Sequence, residues 1–319
     1  MSPTLRGALT ALVAFGIYAT HDVIIKSLGA RYSSFQIVFF VGLFSFPLLT
    51  LLLMRDKTDG TLIPRHPWWS ALRGLTSVGS GVFAFFAFSQ LPLAQTYAIL
   101  FATPLIITLL SIPVLGEKVG LRRGVAVVVG LAGVMIVLRP GSAPLAVGHA
   151  AALAAACCGA ISSVIVRKIG AEERSAVLML YPMMLQVLLM GLLMPWFYTP
   201  MSAQDLGMAA VVAVFSLIAG LLTIVAYRTA SAVVVAPMQY SQLIWAVFYG
   251  WMFFNESVDL MTGIGAVVIV GSGIYIVLRE GTPDVSQNTP VLQNRSRLDT
   301  GPVLRSGLWP WRKGPRGGQ

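Results

Sequence analysis

The sequence predicts an all-α polytopic membrane protein: ten transmembrane helices forming a 5+5 inverted repeat, with the N- and C-termini cytoplasmic. Three observations predict it. Only 11% of the 319 residues are charged and 56% are hydrophobic, with a mean hydropathy of +0.80, whereas a soluble domain carries roughly 25% charged residues. Apolar runs of about 20 residues, enough to cross a bilayer, recur along the whole chain. Basic residues are concentrated in alternate breaks between those runs, as the positive-inside rule requires.

The first run covers 5–27. It follows Met-Ser-Pro-Thr-Leu-Arg with no small-residue cleavage site, so it reads as a retained helix and not a removed signal peptide. The next four fall at 34–54, 68–90, 92–115 and 120–139, and a second set at 145–168, 175–198, 205–228, 231–254 and 260–279. The breaks at Gln90-Leu91-Pro92 and Arg228-Thr229-Ala230-Ser231 are so short that the helices flanking them form antiparallel hairpins. With the N-terminus inside, thirteen Lys or Arg before the tail are cytoplasmic, among them Arg55, Lys57, Arg65, Arg73, Lys118 and Arg122. Only Lys26, Arg31 and Arg139 fall outside. Residues 282–319 are rich in Pro, Gly, Ser, Asn and Arg. They are too poor in large aliphatics to offset the entropy of ordering, which predicts a disordered, basic cytoplasmic tail.

The net charge of +10 does not indicate nucleic acid, because the basic residues lie between apolar runs and in the tail, not on one folded face. Cys157 and Cys158 are sequence neighbours inside an apolar run. They cannot staple distant segments and read as small buried hydrophobes. No Cys/His spacing calls for a metal, no Gly-rich loop would cradle a nucleotide phosphate, and no cofactor is expected. Glycines in the third, fifth, sixth and tenth runs (Gly74, Gly79 and Gly81; Gly124, Gly130 and Gly133; Gly159; Gly263, Gly271 and Gly273) mark close helix packing or a homodimer seam.

The two sets of five echo one another. Ile136-Val137-Leu138-Arg139 closes the fifth run and Ile276-Val277-Leu278-Arg279 the tenth, with Gly133 and Gly273 at matching distances upstream. Glu117 precedes Gly124 as Glu256 precedes Gly263. Five crossings per half is odd, so the second half inserts upside down, an arrangement that recurs in secondary transporters. Leu91-Pro92-Leu93-Ala94-Gln95-Thr96-Tyr97, through Phe101-Ala102-Thr103-Pro104, to Leu115-Gly116-Glu117 resembles the first repeat of the drug/metabolite transporter superfamily, EamA type. Ala236-Pro237-Met238-Gln239-Tyr240, through Trp245, to Phe254-Asn255-Glu256 resembles part of its second repeat. The resemblance spans residues 7–279 and implies a first repeat at 5–141 (helices 1–5) and a second at 145–281 (helices 6–10). It implies too a central cavity that moves a small organic solute. Asp22, Lys26, Gln36 and Arg73 resemble a bacterial branch with carriers for S-adenosylmethionine and riboflavin, and that resemblance implies a bacterial inner membrane.

Ionisable groups within a span default to function, and Asp22 is the only acid well inside one. Two roles fit it: binding a cationic substrate group or a coupling proton, or a structural pair with Lys26 one turn on. His21 is assigned to packing. Tyr97, Phe101 and Pro104 share a face of helix 4, and Gln239, Gln242, Trp245 and Tyr249 follow a 3, 3, 4 pattern on helix 9. A glutamine in hydrocarbon needs a partner, so Asp22, Tyr97, Phe101, Gln239, Gln242, Trp245 and Tyr249 are the candidate substrate-binding residues. Interhelical hydrogen bonding is the competing reading for any one of them. Pro104 and Pro237 free backbone carbonyls near that pocket. Glu117 and Glu256 fall on opposite membrane faces, which rules out an acid/base couple and assigns them to capping the helices that follow.

These features describe a carrier and not an enzyme, working by alternating access. Its partners are the lipid bilayer and a small organic solute: an amino acid, S-adenosylmethionine, riboflavin or a nucleoside-like compound. The alternatives are a multidrug-type efflux carrier, an intramembrane transferase and a membrane scaffold. His21, His66 and His149 are too scattered to propose a catalytic constellation.

Overall fold

A computed structural model describes residues 3–54, 62–117, 119–139, 146–170, 172–230 and 232–280. The expected tail, 282–319, lies outside the described residues. In chain order the elements are α1 (Pro3–Gly29), α2 (Ser34–Met54), α3 (Pro67–Gln90), α4 (Leu93–Leu100), α5 (Thr103–Leu115) and α6 (Leu121–Leu138). They continue with α7 (Val147–Ile169), α8 (Ser175–Phe197), α9 (Ala203–Thr229), α10 (Ala232–Val235), a 3-10 turn (Ala236–Tyr240), α11 (Ser241–Phe254) and α12 (Leu260–Glu280). No strand occurs among the described residues. Among the described residues, seven helical spans are long and apolar enough to cross a bilayer, and shorter apolar stretches lie in α6 and α12. The protein is a multi-pass membrane protein.

The fourth and ninth predicted spans are not continuous. Pro104 has no N–H to give the carbonyl of Leu100, four residues back. Thr103 Oγ1 donates to that carbonyl instead, at 2.6 Å, and the chain turns at Phe101–Ala102 between α4 and α5. In the second half Pro237 falls in the 3-10 turn that separates α10 from α11. The two interrupted helices also end alike. Gly116 (φ 69°) closes α5 and Asn255 (φ 55°) closes α11 in the left-handed region. The glutamate after each sends its N–H back six residues, Glu117 to Ser111 O at 3.3 Å and Glu256 to Gly250 O at 3.0 Å, which satisfies carbonyls left open by the helix end.

Contacts along the helices fix their directions. Ser77 Oγ meets Ser162 Oγ at 2.8 Å, Ser80 Oγ donates to Ala155 O at 3.0 Å, and Gly148 packs beneath Gln90 and Leu91. Hence α3 and α7 are antiparallel. Helix α1 is antiparallel to α9, with Gly7 against Ala230 at one end and Arg31 bonded to Asp205 at the other. Gly29 lies against Ser89, so α1 and α3 finish at the same end of the bundle while α7 starts there. In α6 and α12, Gly133 and Gly265 each approach the other's carbonyl oxygen.

Two sequence expectations are corrected here. Gly81, Gly124, Gly263 and Gly271 face open space, whereas Gly265 sits directly against the backbone of Gly133 and Val137. Cys157 is exposed and Cys158 half-buried, so they are not a buried pair. The reason is shared: lipid is as apolar as a helix interface, so composition does not say which side of a helix meets protein.

Candidate functional site

Asp22 is 2% exposed and lies in α1 among the ends of several helices. His21 Nδ1 donates to its Oδ1 at 2.7 Å, and the Tyr97 hydroxyl, from α4, donates to Oδ2. Around this carboxylate the rings form a chain. Tyr97 contacts Phe88 at 5.4 Å and Phe101 at 5.8 Å between centroids, and Phe101 meets Tyr240 edge-on at 5.1 Å. His21 stands edge-on to Phe85 at 6.2 Å and to Tyr18 at 6.3 Å. The interruption of α4/α5 and that of α10/α11 therefore meet through Phe101 and Tyr240, beside a buried acid. A charge in such surroundings is costly unless hydrogen-bonded, and both oxygens of Asp22 are.

Of the residues read from sequence, the structure brings Asp22, Tyr97 and Phe101 into one contiguous group. Gln242 is fully buried on α11, with its Nε2 3.5 Å from Phe15 O. Tyr249 shares a 3.0 Å hydrogen bond with Thr20, and Trp245 stacks on Tyr249 at 5.7 Å. Both residues thus line α1 a short way from Asp22. Trp245 keeps 37% of its surface exposed. Gln239 is half-buried in the 3-10 turn.

Lys26 pairs not with Asp22 but with Glu256, at 2.8 Å. It also donates to the carbonyls of Phe88, at 3.1 Å, and Leu91, at 2.5 Å, at the end of α3, and lies 5.3 Å from the Phe254 ring. Glu256 does cap a helix, but not the one that follows it. Its Oε2 accepts from Leu93 N, the start of α4, at 2.9 Å, while Asp259 accepts from Thr262 N at 3.2 Å to cap α12. Glu117 pairs with Arg167 of α7. The left-handed residue before each glutamate turns the chain back on its own helix, which carries the carboxylate away from the next helix start.

Sequence reasoning missed His21, Tyr240 and the partners of both glutamates. Adjacent helical residues point about 100° apart, so the neighbouring positions of His21 and Asp22 predict no contact. The recurring Glu after Leu-Gly and Phe-Asn was the available signal that each half needs a cation elsewhere.

Two further polar clusters sit at the bundle ends. Asp205 takes Arg31 at 2.8 Å, the Tyr32 hydroxyl at 2.7 Å and Ser202 Oγ at 2.8 Å. The Tyr32–Asp205 hydrogen bond, with some burial, holds the Tyr32 phenol above its ordinary value. Gln36 exchanges two bonds with the backbone of Thr199, Nε2 to O at 2.7 Å and N to Oε1 at 2.8 Å. At the opposite end His66 Nε2 meets Glu172 at 2.6 Å, and Lys168 lies 4.6 Å from the Trp69 ring.

Comparison with known proteins gives a consistent result. The model of the EamA-like transporter family matches twice, at residues 5–139 and 146–279. The chain is 25% identical to the S-adenosylmethionine uptake transporter of Rickettsia prowazekii (strain Madrid E), covering 86% of this chain and 94% of that protein. It is 27% identical to the pseudopaline exporter CntI of Pseudomonas aeruginosa (strain UCBPP-PA14), over 83% and 93%. It is 29% identical to a riboflavin transporter of Rhizobium johnstonii, over 76% and 78%. A solved crystal structure superposes with a TM-score of 0.55 at 20% identity, covering 88% of this chain and 99% of that one, a likeness of fold alone.

Proposed function

The chain belongs to the EamA-like transporter family, and from that premise we propose that it is a secondary transporter moving a small organic metabolite across the bacterial inner membrane. Its two halves, 5–141 and 145–281, form an inverted 5+5 repeat with both termini cytoplasmic, and they expose a central site to each side in turn. One observation carries this reading. Asp22, with His21 and Tyr97, is buried where the two interrupted helices meet. Transporters bind solute and coupling ion at broken helices near the bilayer midplane, and a buried ionisable group in a membrane is seldom ornamental. With Asp22 at 2%, Tyr97 at 1% and Gln242 at 0% exposure, the arrangement fits an occluded form.

In this reading Asp22 receives the coupling proton or a cationic group of the solute. Tyr97, Phe101, Gln242 and Tyr249 supply aromatic faces and an amide, a lining that suits a polar, partly planar metabolite, and Gln239 and Trp245 complete the set. The relatives include an uptake transporter and an exporter, so the assay must read both directions. Purified protein is reconstituted into liposomes preloaded in turn with S-adenosylmethionine, riboflavin, amino acids and nucleosides, and counterflow of labelled solute is measured. Saturable exchange of one class is the expected result. No exchange with any class, from protein that is correctly inserted, would overturn the reading.

A further inference from the structure

We infer that the Lys26–Glu256 and Arg167–Glu117 ion pairs are the two gate latches of this transporter, one at each end of the bundle. The inference rests on the alternating-access reading above and assigns roles to four residues outside the central site.

The first ground is reciprocity. A cation of α1 holds the glutamate that follows α11, and a cation of α7 holds the glutamate that follows α5. Each pair therefore joins the first helix of one half to the interrupted helix of the other. Because α1 and α3 finish where α7 begins, the pairs lie at opposite ends. Leu91, which accepts from Lys26, packs on Gly148 near the start of α7. At 1.5 Å per residue, Arg167 is about 28 Å further along that helix.

The second ground is what each pair ties down. Lys26 gathers the carbonyls of Phe88 and Leu91 as well as Glu256, and Glu256 also holds the first turn of α4 through Leu93 N. The path between α1, α4 and α11 at that end cannot widen without parting all of these contacts together. At the other end Glu117 is anchored by its own N–H to Ser111 O in α5, and Lys168 donates to Val114 O at 3.3 Å, so releasing Arg167 removes the charged part of the tie between α7 and the Glu117 end of that interrupted helix.

The third ground is burial. The side chains are 3% and 9% exposed for Arg167 and Glu117, and 11% and 16% for Lys26 and Glu256. Separating a buried pair without water leaves two uncompensated charges, so each latch opens only as its own end hydrates. The pair Arg31–Asp205, with Arg31 53% exposed, lacks that property, and Arg139–Asp259, at 32% and 51%, lacks it too. The Lys26–Glu256 latch, more exposed and built on lysine, is the weaker of the two. Both are shut here.

The test uses thiol accessibility in the full chain. Cys157 and Cys158 are replaced by alanine, and single reporters, Ala94→Cys beside Glu256 or Ser111→Cys beside Glu117, are labelled with a membrane-impermeant maleimide in right-side-out and inside-out vesicles. Lys26→Gln is expected to raise labelling of the Ala94→Cys reporter at least threefold and leave the Ser111→Cys reporter unchanged, and Arg167→Gln to do the reverse. Equal response of both reporters to either variant, or no response of either, overturns the latches. Where a single variant does not reach the membrane, the charge-keeping Lys26→Arg and the charge-removing Glu256→Gln decide: parental labelling in the first with raised labelling in the second supports the latch, and equal labelling in the two refutes it. Counterflow that persists without any change in labelling removes the latches and leaves the carrier reading intact. Side-specific labelling without counterflow of any solute counts against the carrier reading alone.

Discussion

Replacing Gly265 with alanine is expected to lower the stability of the protein, and replacing Gly263 is expected to raise it. A Cβ at position 265 would stand 2.5 Å from Val137 Cγ2, 2.7 Å from Gly133 O and 3.1 Å from Val137 N. Two of those atoms belong to the backbone of α6, which no rotamer change moves aside. To bring the carbonyl contact out to ordinary distance, α12 must withdraw by about 0.7 Å, which forfeits a good part of the dispersion energy along the helix pair. Overpacking of this kind costs about 1–3 kcal/mol, and a rigid backbone neighbour places it in the upper part of that range. The alanine returns about 1 kcal/mol of helix propensity, so the net loss is about 1–2 kcal/mol. At roughly 2–4 °C per kcal/mol for a chain of this size, the melting temperature falls by roughly 2–8 °C. At Gly263 an added methyl meets nothing within 4 Å, so only the propensity gain remains and the midpoint rises by roughly 2–4 °C. Thermal unfolding in one detergent, followed by tryptophan emission, compares the two variants with the parent. A Gly265→Ala protein that melts at or above the parent, or two variants that shift in the same direction, would refute the packing account.

Asp22→Asn should abolish pH-driven accumulation while leaving solute exchange within about threefold of the parent, because the amide keeps the size of the carboxyl and one acceptor but does not titrate; unchanged accumulation would remove Asp22 from coupling. Gln36→Ala deletes both bonds to Thr199 and should cost about 1–3 kcal/mol, read as a lower melting temperature, with Gln36→Glu intermediate because it keeps acceptors and loses the donor. Tyr32 has a folded-state value raised above its ordinary 10.0 by Asp205, so its contribution is complete below pH 10 and is lost as pH rises through the raised value. Melting of the parent should therefore fall more steeply than that of Tyr32→Phe above about pH 10, and parallel curves would contradict the bond.

Much of the architecture could be read in one dimension because bilayer thickness imposes it. Runs such as 145–168 or 205–228 declare themselves by length and apolarity, and Pro104 and Pro237 marked where backbone carbonyls would be freed near the pocket. Asp22 and Tyr97 were legible as candidates because polar groups in hydrocarbon are few. What periodicity does not carry is which face of a helix meets another helix, since both faces of Trp245 or Gly265 see apolar neighbours. Nor does it carry pairing across the halves. Lys26 has Asp22 one turn away in sequence, yet Glu256 claims it, because the turn after α11 delivers a carboxylate to the end of α3. His21 was set aside for the same kind of reason, as its bond to Asp22 depends on rotamers and not on spacing.

The pairing of Lys26 with Glu256 also sets a schedule for biogenesis. The lysine is made with α1, and its acid is translated about 230 residues later, roughly 10–50 s at 5–20 residues per second. Glu117 waits only about 50 residues for Arg167, some 2–10 s on the same clock. During the longer interval the native partners of Lys26 are the carbonyls of Phe88 and Leu91, without the acid. Completion of the second half is thus the event that supplies the acid of this pair, and a chain truncated before residue 256 would keep Lys26 on the two carbonyls alone.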